Sequence, residues 1–270
     1  MRSTIDDPVT RATAITGALT AAAGLALVHP AAADAAATDA AGACAEGTDA
    51  ILNMALTVER IAITYYYTAL TTPAILRDSR LAGVSLDLNN PARPPNGAPQ
   101  HVRFLQAALD AEVKHADLLA QIGATSPYRH FYFPPTTFAS LGTTLNRGSF
   151  LGVLEILEAT CVGLYIAAAC EFLRSERHDL AALATEMMGV EAEHRALGRV
   201  IAGVRPPNDL TLERAPFACA DESEAALRPF LTGARFLYAA DATRATALPT
   251  RAQTARVIGK YGTRRVRTFL

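Results

Sequence analysis

Four stretches of the chain repeat apolar residues every three to four positions, the spacing of one face of a helix. The first stripe holds Leu52, Ala55, Leu56, Ala62 and Ile63, and the second Leu105, Ala108, Leu119 and Ile122. The third holds Leu151, Leu154, Cys161 and Val162, and the fourth Ala184, Met187, Gly198 and Ile201. The pattern predicts helices over about 47–70, 100–122, 150–174 and 180–204, with Thr48 as an N-cap. Pro73, Gly123 and Pro206-Pro207 stop three of them. A further helix is expected over 222–238, with Phe230, Phe236 and Leu237 apolar. Two irregular stretches separate the helices. Residues 73–99 carry Asn89-Asn90-Pro91 and Pro94-Pro95-Asn96-Gly97, a composition that breaks regular structure. Residues 124–147 carry Tyr128, His130, Phe131, Tyr132, Phe133, Pro134 and Pro135. Extended chain covers about 3.3 Å per residue, so the second stretch can cross the length of a bundle. The expected architecture is all-α: a four-helix bundle with one long crossover between its second and third helices, followed by a C-terminal helical extension.

The same stripes contain residues that do not belong in an apolar core. The positions 105, 108, 112, 115, 119 and 122 form one heptad series, which places Glu112 and His115 on the inner face. The series 184, 187, 191, 194, 198 and 201 does the same for Glu191 and His194. Leu52, Glu59 and Tyr66 are spaced by seven, as are Leu151, Glu158 and Tyr165. A buried unpaired carboxylate costs several kcal/mol, and a bound cation is the simplest way to offset it. The order Glu, Glu-x-x-His, Glu, Glu-x-x-His is an internal repeat. It is also the ligand set of di-iron and di-manganese carboxylate bundles. Four carboxylates and two neutral imidazoles carry four negative charges, which two divalent cations cancel. Oxygen and imidazole donors suit iron, manganese or zinc. Tyr66 and Tyr165 read either as core aromatics or as phenols close to the metals. Glu155 falls at the edge of its stripe, Glu186 and Glu193 on solvated or interface faces, and His130 on the surface or in packing.

Composition narrows the picture further. The 270 residues carry a net charge of -1, which argues against a nucleic-acid-binding protein, and half of them are hydrophobic. Ala14 to Val28 is an apolar run too short to span a membrane as a mature helix. Ala31-Ala32-Ala33 and Ala33-Asp34-Ala35 match small-residue cleavage sites, so residues 1–35 read as a targeting segment and 36–47 as a linker; the other readings of the stretch are a disordered Ala-rich tail or an uncleaved anchor. Cys161 and Cys170 share a helix about 13.5 Å apart and cannot pair with each other. In an exported protein Cys44 and Cys219 can form a disulfide, although sequence alone does not bring them together. Residues 205–270 form an extension whose end is basic, with Arg251, Arg256, Lys260, Arg264, Arg265 and Arg267. That end reads either as a solvated tail or as a contact for an anionic surface.

Leu56-Thr57-Val58-Glu59 through Tyr66, Asp110-Ala111-Glu112-Val113-Lys114-His115, Leu157-Glu158 through Tyr165 and Val190-Glu191-Ala192-Glu193-His194 together carry a resemblance. Over about 48–204 the chain resembles ferritin-like domains of the exported bacterial type that are similar to plant desiccation-related proteins. The resemblance implies a ferritin-like bundle with a centre of two iron or manganese ions at Glu59, Glu112, His115, Glu158, Glu191 and His194. Helices of this family often carry a second acid one turn after the first-helix Glu; here that place is Ala62. The expected function is di-metal chemistry on oxygen or peroxide under oxidative or desiccation stress, in the cell envelope or outside the cell, in a protein able to oligomerise. The alternative is a stress protein whose metals only staple the fold.

Overall fold

The computed structural model describes residues 44, 46–81, 100–208, 213, 216–236 and 242–259. The targeting segment, most of the 36–47 linker, residues 82–99 of the first irregular stretch and residues 260–270 of the basic end lie outside the described residues.

Four long helices form where the apolar stripes run: α1 (Thr48–Thr71), α3 (Gln100–Gln121), α4 (Phe150–Arg174) and α5 (His178–Ala202). The short α2 (Pro73–Leu76) follows α1. Thr72, extended before Pro73, ends α1, and Pro73 then opens α2 at a position where its missing N–H costs nothing. The start of α1 differs from expectation: Gly47 is the N-cap, Thr48 lies inside the helix, and no side chain caps it. Gly203, left-handed at φ 80°, closes α5 with its N–H on the last carbonyls.

The helices pack as two pairs, α1 with α3 and α4 with α5, joined through α1–α4 and α3–α5 contacts. Helix direction follows from a cavity at one end of the bundle. Leu52 near the start of α1, Leu119 near the end of α3, Phe172 near the end of α4 and Leu180 near the start of α5 all line it. Hence α3 and α4 run parallel, and the chain between them must travel the length of the bundle. That is the ferritin-like connection rather than a simple up-and-down one.

α4 is the most enclosed helix. It is long and apolar enough to cross a membrane, yet most of its apolar surface is buried in the fold, which marks it as a core helix. Each fully buried Leu or Phe on it contributes about 1.5–3 kcal/mol. Gly198 lets α5 approach, since a Cβ there would lie 3.0 Å from Leu154 Cδ2. On the other side Gly163 admits the segment after the bundle, where a Cβ would meet Pro216 Cδ at 2.3 Å.

Two features were not expected from the sequence. The crossover contains β1 (His130–Phe133) and a 3-10 turn (Pro135–Phe138); β1 pairs antiparallel with β2 (Arg244–Ala247), Phe131 facing Thr246. Four-residue strands give almost no period-two signal, and the partner lies more than a hundred residues away. The extension is therefore mixed rather than purely helical. α6 (Glu222–Thr232) ends before the expected 238 and packs on β1 and α4, while α7 (Arg251–Ile258) packs on α3 and α1. A Thr250–Gln253 capping box starts α7, Gln106 donates to the carbonyl of Val257, and Arg251 pairs with Asp117. The basic character begins inside an ordered helix, so residues 250–259 are not part of a free tail.

Candidate metal centre

Midway along the bundle the stripes bring their polar members to the axis. Glu59 comes from α1, Glu112 and His115 from α3, Glu158 from α4, and Glu191 and His194 from α5. Small residues stand one turn away on the same faces: Ala55 and Ala62 beside Glu59, and Ala108 beside Glu112. The ligand-type atoms of Glu59, Glu112, His115 and Glu191 lie within 4.8 Å of one another, and so do those of Glu112, Glu158, Glu191 and His194. Glu112 and Glu191 belong to both groups. The four carboxylates are at most 1% exposed and His194 5%, while the His115 side chain is the most open at 13%.

Both histidines present Nδ1 to the acids. His115 Nδ1 lies 3.3 Å from Glu59 Oε2 and 3.2 Å from Glu191 Oε1. His194 Nδ1 lies 2.9 Å from Glu112 Oε1 and 3.4 Å from Glu191 Oε2. The short His194–Glu112 approach lacks hydrogen-bond alignment. Both oxygens of Glu112 and of Glu191, Glu158 Oε2 and His194 Nδ1 have no hydrogen-bond partner among the described residues. Buried polar atoms left so cost about 1–3 kcal/mol each, and a cation at the shared position would satisfy them. The donor set, rich in oxygen with two imidazoles, fits a pair of divalent first-row metal ions.

Electrostatics point the same way. Burial, and then the charges of Glu112 and Glu191, push the Glu59 carboxyl well above the usual carboxylate range. Burial and Glu191 do the same to Glu158. For Glu112 burial acts upward, but close polar contacts with Glu59, His115 and His194 outweigh it and hold the carboxyl well below that range. Burial disfavours charge on His115 and His194, yet the surrounding carboxylates prevail and raise both. The raised Glu59, Glu158, His115 and His194 all favour bound protons, which offset part of the cluster's negative charge.

The two tyrosines cross the bundle. Tyr66 of α1 donates to Glu158 Oε1 of α4 at 2.5 Å, and Tyr165 of α4 donates to Glu59 Oε1 of α1. Burial, followed by the adjacent Glu charge, raises both phenols, which keeps them neutral donors. Heptad spacing put both on the inner face but could not show which acid each would reach. Cys161 is buried one turn from Glu158, its thiol raised by burial and the acids; Cys170 is exposed, and both are free.

Other singled-out residues lie elsewhere. Glu155 accepts from Arg199 at 2.7 Å and lies 3.7 Å from Arg195, which also reaches Glu213 at 2.7 Å. This ion-pair network ties α4, α5 and the following segment, and sequence spacing did not reveal it because Glu213 lies outside any helix. Glu186, Glu193 and His130 are exposed. Cys44 and Cys219 form a disulfide with Cα atoms 5.5 Å apart.

Comparison with curated proteins and with solved structures returned no match. A family model for the ferritin-like domain matches residues 48–203, the four long helices with their Glu and Glu-x-x-His positions. The match covers more than half of the chain, and the chain belongs to the ferritin-like domain family.

Proposed function

We propose that the buried cluster holds two ions of iron or manganese and that the protein acts on oxygen or peroxide in oxidative or desiccation stress. The observation that carries this reading is the convergence of four carboxylates and two imidazoles from four helices, with both oxygens of Glu112 and Glu191, Glu158 Oε2 and His194 Nδ1 left without a hydrogen-bond partner among the described residues. Glu59 and His115 would hold one ion, Glu158 and His194 the other, and Glu112 and Glu191, common to both groups, would bridge them. Such ions supply redox equivalents and open coordination positions to a small oxidant.

The chain's own residues prepare the site for that chemistry. Tyr66 and Tyr165 hold Glu158 and Glu59 in fixed orientations through their hydroxyls. The enclosing apolar side chains keep bulk water out, which strengthens each charge interaction inside. The Cys44–Cys219 disulfide supports an oxidising compartment, and with it an exported, envelope or extracellular setting. A second reading rests on how sealed the centre is. Acids that are 0–1% exposed suit ions that staple four helices together as well as they suit turnover.

Elemental analysis of the purified chain tests the proposal, with Glu191→Ala beside it. About two iron or manganese per chain, lost in the variant, is expected from the six-residue set. No metal after anaerobic loading with ferrous and manganous ions would overturn it. Oxygen- and peroxide-consumption assays on the loaded protein then separate a redox enzyme from a stapled fold.

A further inference from the structure

One to two turns from the ligands, all four helices leave a gap. Ala55 lies four residues before Glu59, Leu119 four after His115, Met187 four before Glu191 and Tyr165 seven after Glu158, and all line the same cavity. At 1.5 Å per residue, this places the near wall of the cavity roughly 6–10 Å from the ligand layer, with Ile51, Phe172 and Leu180 lining it farther out. It measures ≈ 10 Å³, room for a single water-sized molecule. Its wall is wholly apolar: aliphatic side chains, Phe172 and the ring of Tyr165. The Tyr165 hydroxyl is turned away and committed to Glu59. Nothing in its wall can hydrogen-bond a water, so the space disfavours one. Leu183 at the start of α5 is half-buried while every other lining residue is buried, so the cavity comes nearest the surface there.

We propose that this cavity is the port through which a small apolar oxidant, dioxygen, reaches the centre, with the Tyr165 ring as the partition between port and ligands. The proposal rests on the metal-centre reading and narrows it. Hydrogen peroxide would surrender its hydrogen bonds to water on entering and find no partner in return, whereas dioxygen has none to lose. The port therefore selects oxygen over peroxide. The same four helices supply both layers, so a molecule leaving the cavity past Tyr165 meets Glu59 first.

Xenon, an apolar probe of similar size, tests this without any metal. Metal-free wild-type crystals under xenon pressure are expected to hold one xenon atom in the cavity, and Ala184→Leu, which fills it, none. In the ferrous-loaded protein Ala184→Leu is expected to raise the KM for oxygen severalfold at unchanged metal content, while oxidation driven by peroxide keeps its rate. Leu183→Ala, which widens the rim without filling the core, should move the KM for oxygen the other way; it carries the test if Ala184→Leu does not fold. No xenon in the wild-type cavity, or a KM for oxygen that neither variant moves, would overturn the port. Absence of metal from the wild type would instead overturn the metal-centre reading and leave the xenon result standing.

Discussion

Tyr165→Phe removes one oxygen atom from the centre and nothing else. The phenol is 2% exposed and donates to Glu59, itself 1% exposed, so no water stands ready to take its place. A hydrogen bond to a charged group contributes about 1.5–3 kcal/mol. At about 1.36 kcal/mol per tenfold, that becomes a loss of about ten- to more than a hundredfold in metal affinity. The range agrees with the roughly 10–100-fold cost of deleting partners that orient metal ligands. Glu59 belongs to the group that contains His115 and not to the one that contains His194. The loss should therefore fall on one ion: competition with a chelator should release metal from the variant in two steps, the first at markedly lower chelator concentration. Tyr66→Phe should weaken the other ion, because Tyr66 serves Glu158. Tyr67→Phe, half-buried on the same helix, should leave the titration unchanged. A shift of less than about twofold in Tyr165→Phe would refute the reasoning, since the hydroxyl would then not be orienting a ligand.

Other variants probe the remaining parts of the molecule. Glu112→Ala and His194→Ala should abolish metal binding, while Glu193→Ala and Glu155→Ala should retain it in the same elemental analysis. Glu155→Ala should instead destabilise the fold by about 3 kcal/mol in urea titrations, because it strips a carboxylate from the nearly buried Arg195 and Arg199. The double change Cys44→Ser, Cys219→Ser opens a loop closed over a sequence separation of 175. Loop-closure entropy sets a ceiling of about 5 kcal/mol on its cost, and reductant should then shift the wild type's midpoint but not the variant's. The Glu46 carboxyl, near Asp221 and Glu171, is pushed up to about 8 by burial and by those two acids. A carboxyl raised in the folded state contributes stability below its ordinary value of 4.5, and that contribution is lost as pH rises through 8. In the metal-free protein Glu46→Gln should therefore melt increasingly above the wild type between pH 5 and 8.5; a melting difference that does not change with pH would exclude the effect.

Periodicity alone determined a good deal here. An α-helix repeats its faces whatever surrounds it, so heptad counting separates inner from outer positions before any contact is known. It picked out Glu59, Glu112, Glu158, Glu191 and their two histidines as out of place in apolar stripes, and left Glu155 and Glu193 outside. The length of the 124–147 stretch pointed to a crossover for the same reason: chain length bounds reach. What tertiary structure decided is whatever depends on two distant segments meeting. The exchange of partners between Tyr66 and Tyr165, the pairing of β1 with β2, the return of α7 onto α3, and the approach of Cys44 to Cys219 join residues from 92 to 175 positions apart, or strands too short to show a period. The cavity beside the centre belongs with these. Each of its lining residues reads as ordinary core in sequence, and only the packing of four helices leaves a space between them that no single stripe encodes.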